Sequence, residues 1–466
     1  MRPRYDAVVV GSGPNGLAAA ITVAQRGGSV LVLEGSPAFG GGARSESLTL
    51  PGFVHDVCSA VHPLAVASPF FRQLPLERHG LEWIRSPSPV AHPLDDGSAV
   101  PFEEAIADFQ AKYPALVRGA REILEEILRP ALHLPRHPVL LARFAQAAFQ
   151  PAASLLQREF GSPRTRALLA GVAAHSMIPL SWQGSSAAML TLMLAACAGG
   201  WPIPRGGAQS LSNALVSYLR SLGGELRCDT TVRALEDLPP ARAVFLDVTP
   251  WQFARLGSNL LSEPQKRRLA RFEHGIGVFK MDFALSAPVP WRATECARAA
   301  TVHLGGTLEE IAESELAPHE GRLSPRPYVL LAQPSLFDPT RAPAGRHTLW
   351  AYCHVPNGSG QDCSEAIENQ IERFAPGFRG QVLARSALGP AELEARNPNL
   401  IGGNISGGAM NLTRLLFRPR VSVSPYRTPL RNVYLCSSST PPGPGVHGMC
   451  GHWAALEAIG DHLLPR

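Results

Sequence analysis

The chain has 466 residues, of which 45% are hydrophobic and 17% charged, so it can bury a large core, and we expect two domains. Its formal net charge of +5 comes almost wholly from arginine, and the sequence shows no basic block, zinc-ligand spacing or aromatic–basic interleaving, which excludes the common nucleic-acid-binding classes. The eight cysteines include no C-x-x-C pair, which excludes dithiol chemistry of that type and implies no structural disulfides.

The first predicted unit is a strand, a glycine-rich turn, a helix and a second strand. The apolar residues 7–10 predict a buried parallel strand, residues 17–26 a small-residue helix, and residues 30–33 a second strand. The turn between the first strand and the helix reads G-x-G-x-x-G, and this full context is typical of dinucleotide binding. The alternative is a glycine-rich turn in an ordinary α/β protein.

Each glycine of the turn has a separate physical task. Gly11 permits the tight turn, Gly13 lets a pyrophosphate approach the backbone, and Gly16 lets helix and strand pack closely. At the end of the second strand, Glu34 can accept hydrogen bonds from both ribose hydroxyls, so NADP is not expected. The candidate cofactor-binding residues of this unit are Gly11, Gly13, Pro14, Asn15, Gly16, Glu34 and Gly35.

A second glycine run, Gly40 to Gly42, follows six residues after the acid and continues into Ala43 and Arg44. It is compatible with a second phosphate contact, which a plain nicotinamide site does not require. The run from Asp6 to Arg44 resembles the N-terminus of two-dinucleotide-binding flavoproteins, in which FAD lies extended. That resemblance implies that this loop meets the diphosphate and ribityl region. The candidates here are Gly41, Gly42, Ala43 and Arg44.

Residues 102–160 predict a helical region with Ile123, Ile127 and Leu128 spaced for one apolar face. Because it is rich in arginine, this region can rest on a membrane surface, and the alternative is a solvated face over a substrate-domain core. Residues 187–198 are nearly all apolar but too short to span a bilayer, which needs about 20 residues, so we expect a buried helix. Its Met189 and Met193 either line an apolar tunnel or pack in the core.

After a Gly- and Pro-rich loop at residues 199–207, the sequence predicts a helix at 210–222, a strand pair that includes Thr231 to Arg233, and a buried strand from Ala243. This order resembles the phytoene-desaturase-like and amine-oxidase-like flavoproteins. The resemblance implies that the strand carrying Val232 passes the adenine and that the Asp247 strand end returns near the diphosphate.

Two candidate catalytic residues lie on later predicted strands. The segment from His274 to Phe283 resembles the amine-oxidase strand whose lysine holds a water at flavin N5, and Lys280 takes that position. The alternative is a strand lysine that extends to solvent. Tyr352 and His354 are two residues apart and so share one face of a strand, where they either form a polar pair in a pocket or serve the structure.

The C-terminal part predicts a strand at residues 432–436, a glycine- and proline-rich loop, and a helix from Cys450 to Leu464. A loop that leads into a helix N-terminus can stabilise negative charge at the flavin N1–O2 edge. The whole chain resembles the phytoene-desaturase-like family, nearest its uncharacterised bacterial branch. The candidates in this loop are Ser438, Gly445, Val446 and His447, the last also as a catalytic residue.

We therefore predict an α/β fold with a discontinuous Rossmann-like, two-dinucleotide-binding FAD domain (1–70, 200–285 and 400–466) and an interposed α+β substrate domain (71–199 and 286–399). The resemblance implies an FAD-dependent oxidoreductase that transfers hydride from an apolar, isoprenoid- or polyene-like substrate to flavin N5. The alternatives are a flavin-dependent double-bond isomerase, an amine oxidase, or a flavin-free, prenyl-binding escort-type protein.

The expected partner is a small apolar substrate. The first strand begins within a few residues of Met1, so we expect no leader sequence and a cytoplasmic location, with peripheral membrane association as an alternative.

Overall fold

A computed structural model describes residues 5–461 and residue 463. The strands are, in chain order, β1 (Tyr5–Val10), β2 (Val30–Leu33), β3 (Ser45–Glu46), β4 (His55–Asp56), β5 (Trp83–Ile84), β6 (Ser88–Pro93), β7 (Ala99–Pro101), β8 (Ile203–Pro204), β9 (Glu225–Arg227), β10 (Ala241–Leu246), β11 (Gly277–Leu285), β12 (Ala299–Leu304), β13 (Val329–Ala332), β14 (His347–Val355), β15 (Val382–Leu388) and β16 (Val433–Leu435).

The α-helices are α1 (Pro14–Ala24), α2 (Pro63–Ala67), α3 (Phe102–Lys112), α4 (Pro114–Arg118), α5 (Ala120–Ile127), α6 (Pro138–Ala148), α7 (Ala152–Glu159), α8 (Pro163–Ala174), α9 (Ser186–Gly199), α10 (Ala208–Ser221), α11 (Pro250–Leu256), α12 (Glu263–Ala270), α13 (Leu308–Leu316), α14 (Ser364–Phe374), α15 (Pro390–Arg396), α16 (Leu412–Leu416) and α17 (Met449–Gly460).

The smaller of two large sheets is parallel throughout, in the order β16–β10–β1–β2–β9. The central strand β1 pairs with β2 and β10, and Val8 stands opposite Leu31 on one side and Val244 on the other. Its residues are almost all buried, as expected for a parallel strand covered on both faces. Strands from three separate parts of the chain build this sheet, so the predicted α/β, Rossmann-like and discontinuous fold is confirmed.

The larger sheet is mixed and has the order β15–β11–β14–β13–β12–β6–β7, in which only the pair of β12 with β6 is parallel. The predicted domain boundary at residue 285 assigned residues 277–285 to the cofactor domain. In the structure this strand, β11, pairs along its length with β14 and β15 of the larger sheet. Its nine residues are all buried, and Phe279, Met281, Phe283 and Leu285 belong to that sheet's apolar layer.

Helices α3 to α9 form a layer of their own, in which α9 contacts α2, α5, α6 and α8. The prediction of a buried helix at residues 187–198 is confirmed by α9. Met189 and Met193 are fully buried in the core between helices, whereas Ala188, Thr191 and Leu192 face a cavity. The methionines therefore pack in the core, and the tunnel interpretation of these two residues is wrong.

The prediction of a strand at Thr231 to Arg233 is also wrong, because these residues form an irregular loop after the short strand β9. The C-terminal helix α17 is confirmed and runs over residues 449–460, and its predicted end at Leu464 lies outside the described residues.

Among the described helices none alone is long and apolar enough to cross a membrane. Helices α6 and α7, bent by 102° at the break between them, meet that criterion only together, on length and composition.

The N-terminus of α1 packs unusually closely against α17, because a glycine of α17 faces the backbone of α1. A Cβ at Gly451 would overlap the Asn15 carbonyl oxygen and come within 2.8 Å of the Ala19 amide nitrogen. Both partners are backbone atoms of a helix, so neither can turn aside as a side chain can. This contact holds the glycine-rich turn between β1 and α1 against the C-terminal helix.

We therefore expect Gly451→Ala to lower the free energy of unfolding by about 1–3 kcal/mol or more, since the added methyl group forces the two helices apart. Gly460→Ala, at the other end of the same helix, meets nothing within 4 Å and should change stability by less than about 1 kcal/mol. Urea unfolding followed by circular dichroism measures both. Equal midpoints for the two variants would contradict the close packing described here.

Candidate cofactor and substrate site

One cavity of about 980 Å³ runs from the carboxyl ends of the parallel strands to the helical layer and the larger sheet. Ligands of open α/β sheets bind in this position, outside the carboxyl ends of the strands. The cavity wall contains every predicted cofactor-binding residue except Gly16, namely Gly11, Gly13, Pro14, Asn15, Glu34, Gly35, Gly41, Gly42, Ala43, Arg44, Val232, Ser438, Gly445, Val446 and His447.

The glycine-rich turn forms a narrow concave surface at one end of the cavity. Gly11 has a φ of +96°, which favours glycine, and a Cβ at Gly13 would lie 2.5 Å from Asp247 Oδ2. A Cβ at Gly16 would overlap the Gly11 carbonyl oxygen, so Gly16 serves helix–strand packing behind the wall. The second loop follows closely, because a Cβ at Gly41 would lie 3.0 Å from the Gly13 Cα. Only a backbone without side chains leaves this surface open.

Glu34 is held in place by the turn that it faces. Its Oε2 accepts hydrogen bonds from the Ser12 backbone N–H at 2.9 Å and from the Ser12 hydroxyl at 2.6 Å, and its Oε1 accepts from the Ser36 N–H at 2.9 Å. The carboxylate is thus oriented before any ligand arrives, with acceptor capacity left on both oxygens. Its place in the cavity wall suits a carboxylate that receives ribose hydroxyls.

Arg44 supplies a cationic group at the same end of the cavity. The residue is 6% exposed, its Nε has no hydrogen-bond partner, and its Nη2 lies 3.8 Å from Glu46. A buried donor without a partner costs free energy, and an anionic phosphate ligand would satisfy it. The glycine surface, Glu34 and Arg44 together fit an adenine dinucleotide such as FAD.

Asp247, at the carboxyl end of β10, belongs to this surface but was not among the predicted site residues. Its Oδ2 accepts the Gly16 backbone N–H at 3.0 Å at the start of α1. Burial raises the pKa of Asp247 to about 7, and the nearby charge of Glu34 adds to the rise. An acid after a buried parallel strand was the sequence signal for it, since such strand ends meet at the ligand-binding edge.

The C-terminal loop closes the cavity from the side of α17. His447 is 1% exposed, and its Nδ1 accepts the Met449 backbone N–H at 3.0 Å, so it uses one of the free N–H groups of the helix. Burial lowers the pKa of His447 to about 4, and the ring is therefore neutral near pH 7. A catalytic role for His447 stays a prediction.

Lys280 lies behind the cavity wall, not in it. Its ammonium donates to the carboxylate of Asp282 on the same strand and lies 5.9 Å from the ring centre of Trp350, which does face the cavity. Lys280 and Asp282 are 2% and 0% exposed. The alternative of a lysine that extends to solvent is wrong, and the role at the flavin stays a prediction.

The far end of the cavity has an apolar lining with ring groups that can hydrogen-bond, among them Tyr352 and His175. Tyr352 faces this chamber from β14, as predicted for a pocket residue, while His354 behind it pairs with the buried Glu315 at 2.7 Å. His175, which the sequence did not single out, also faces the chamber, and its Nε2 lies 3.1 Å from Nε2 of the fully buried His303. No local pattern links residues 175 and 303, because the contact joins a helix end to a strand.

Comparison with known proteins agrees with this geometry. The model of the family described as FAD dependent oxidoreductase (DAO) matches residues 6–252. Pyridine nucleotide-disulfide oxidoreductase domain-containing protein 2 of Rattus norvegicus is 26% identical over 552 residues, covering 98% of this chain and 93% of that protein.

Two solved structures share the fold across their full lengths. An oxidoreductase from Methanosarcina mazei is 15% identical with a TM-score of 0.65, covering 98% of this chain and 100% of the other. Cyclohexylamine oxidase from Brevibacterium oxydans is 15% identical with a TM-score of 0.60, covering 99% and 100%. The predicted resemblance and FAD as the cofactor are thereby confirmed.

The pKa of Asp247 yields a prediction about FAD affinity. Below pH 7 this carboxyl is protonated and neutral, and above pH 7 it carries a charge that repels an anionic diphosphate at the glycine surface. We expect the FAD affinity of the wild-type apoprotein to fall as pH rises through 7, by at most about tenfold per pH unit. Asp247→Asn should remove this dependence. Fluorescence titration of apoprotein with FAD on both sides of pH 7 measures it, and parallel pH profiles for both proteins would contradict it.

The pairing of Lys280 yields a second prediction. Lys280→Met leaves the Asp282 carboxylate buried without its cation, so we expect a loss of about 3–5 kcal/mol in the free energy of unfolding. Lys280→Met/Asp282→Leu removes both charges and should recover most of that loss. Because Lys280 does not face the cavity, reoxidation of reduced enzyme by oxygen should be unchanged in the double variant. Stopped-flow mixing measures this rate, and a hundred- to thousandfold slower reaction would instead place the lysine at the flavin.

Proposed function

Because the chain belongs to the FAD-dependent oxidoreductase family, we propose that it removes a hydride from an apolar, isoprenoid- or polyene-like substrate held in the inner chamber of its cavity. The observation that carries this proposal is the continuity of the cavity. One end has the glycine surface with Glu34 and Arg44, and the other is lined by apolar side chains that include Phe144, Leu192 and Leu330. A long apolar molecule can therefore lie in the same cavity as the cofactor.

When bound, FAD supplies the hydride acceptor, and oxygen, a quinone or another electron carrier must later take the electrons. The residues of this chain bind the cofactor and the substrate and exclude water. The glycine surface and Arg44 would hold the diphosphate, Glu34 would hold the ribose, and the apolar chamber would exclude water from the reacting carbon atoms.

Desaturation also releases a proton from the carbon next to the one that loses hydride, and His175 is placed to accept it. Burial lowers the pKa of His175 to about 3, so its ring is neutral near pH 7 and has a nitrogen lone pair, but it is a weak base that holds the proton only briefly before passing it on. The contact with Nε2 of His303 fixes the ring and gives the proton a second nitrogen to share. One hydride and one proton then leave the substrate, and a carbon–carbon double bond forms.

A second candidate reaction is double-bond isomerisation, which moves a proton but leaves no net oxidation. The observation in its favour is that a tyrosine hydroxyl and an imidazole, Tyr352 and His175, both face the chamber and can act as acid and base. Amine oxidation depends on Lys280 at the flavin, and the pairing of that lysine with Asp282 speaks against it. The escort-type alternative has no need for the oriented Glu34 or for the buried Arg44.

The test is anaerobic incubation of the yellow holoenzyme with fractions of a lipid extract, in which flavin bleaching is recorded and every fraction is compared before and after by chromatography and mass spectrometry. A product lighter by two hydrogens supports desaturation, whereas an isomer of unchanged mass, without net bleaching, supports isomerisation. Bleaching only by water-soluble amines would contradict both desaturation and isomerisation of an apolar substrate.

Two alanines of α6 give matched variants for this assay. Ala145 faces the chamber, and Ala142 on the same helix is exposed. We expect Ala145→Phe to fill part of the chamber and to reduce bleaching by the active fraction at least about tenfold, at unchanged FAD content. Ala142→Phe should behave as wild type. The rate of bleaching and the flavin-to-protein ratio measure this, and equal rates for the two variants would place the substrate elsewhere.

A further inference from the structure

Exposed apolar side chains lie on segments that also line the cavity. We call these side chains the apolar rim: Leu132, Leu134, Val139, Phe149, Trp182, Val421 and Val423. Ten large apolar side chains of the described residues are exposed, and seven belong to this rim. Such a concentration in one region marks an interaction surface, since scattered exposed residues would need no explanation.

Several contacts show that the rim borders the cavity. Phe149 lines the cavity and is also 39% exposed, so it lies where the cavity meets solvent. The loop before α6 and the segment after α16 meet there, because Leu132 and Ser422 line the same small crevice. The Gly184 N–H, two residues after Trp182, donates to the Phe149 carbonyl at 3.0 Å.

Most of the rim lies on segments whose sequence contains arginine and no acidic residue. No aspartate or glutamate occurs at residues 127–158 or 395–456, the two stretches that carry all of the rim except Trp182. Arginines do occur there, and Arg136 and Arg143 are exposed between the apolar residues of the rim. Apolar side chains flanked by arginine fit a surface of anionic headgroups over acyl chains.

We propose that the apolar rim docks on an anionic lipid bilayer, so that an apolar substrate passes from the acyl chains directly into the chamber. The occupant is a bilayer and not a protein, because arginines are the only charged residues of those two stretches and they match anionic headgroups beside an apolar layer. Leu134 and Val423, 91% and 81% exposed, would enter the headgroup region first. The substrate route rests on the function proposed above, but the docking itself does not.

The test is flotation of the full-length holoenzyme with vesicles of phosphatidylcholine, and with vesicles of equal parts phosphatidylcholine and phosphatidylglycerol. We expect binding to the anionic vesicles that weakens as salt is added, and little binding to phosphatidylcholine alone. Leu134→Ser/Val423→Ser should weaken the binding about tenfold or more, because two side chains no longer enter the membrane. Leu260→Ser/Leu383→Ser, exposed residues outside the rim, is the matched control and should bind as wild type.

Flavin content verifies that each variant is folded. Absence of wild-type flotation with the anionic vesicles, or equal weakening in both double variants, would overturn the proposal. Sedimentation velocity without vesicles tests self-association. A dimer that is lost only in the rim variant, without vesicle binding, would assign the rim to a second copy of the chain and also overturn the proposal. Because the readout is binding, a failure here leaves the flavin-bleaching assay of the proposed reaction unaffected.

Discussion

The bond from the Gly16 backbone N–H to Asp247 is the interaction on which the rest of the site depends. It joins the start of α1 to the end of β10. Gly451 of α17 packs against the backbone at the start of α1, next to the same turn. Backbone atoms can approach this closely only where side chains are missing. The resulting surface is concave and rich in peptide groups, and it lies at the edge where the parallel strands end. Every other part of the cavity is positioned relative to it.

A second buried network connects the cofactor side of the cavity to the larger sheet. The Arg341 guanidinium donates to Asp56 of β4 at 2.7 Å, and the Lys280–Asp282 pair of β11 lies next to it, with His55 Nδ1 3.6 Å from Asp282. Two cations and two carboxylates balance one another with almost no access to water. Buried charges of this kind are tolerated because they are paired, and removing any one of them leaves its partner unsatisfied. This network joins the segment of β4 and Arg341 to β11 of the larger sheet.

Much of the fold was predictable because its signals are local. Residues 5–34 show the strand, turn, helix and strand in the sequence itself, and the apolar run of α9 indicates burial whatever surrounds it. The partners of side chains were not predictable in the same way. The pairing of Lys280 with Asp282 was within reach, since the two share a strand face, but the cluster around them includes Arg341 and Asp56 from distant segments. Likewise, Thr231 to Arg233 has strand-forming residues but no neighbouring strand to pair with, and tertiary context decided against local propensity.

The order of strands in the smaller sheet has a consequence for biosynthesis. Strand β1 ends at Val10, but β16 and α17, which complete its sheet and cover α1, begin only at residues 433 and 449. While a ribosome makes the intervening segments, the apolar residues of α1 that contact α17 have no permanent cover. The larger sheet, whose strands lie between residues 88 and 388, can form earlier. During synthesis the larger sheet can therefore be completed while the smaller sheet still lacks β16 and the cover of α17.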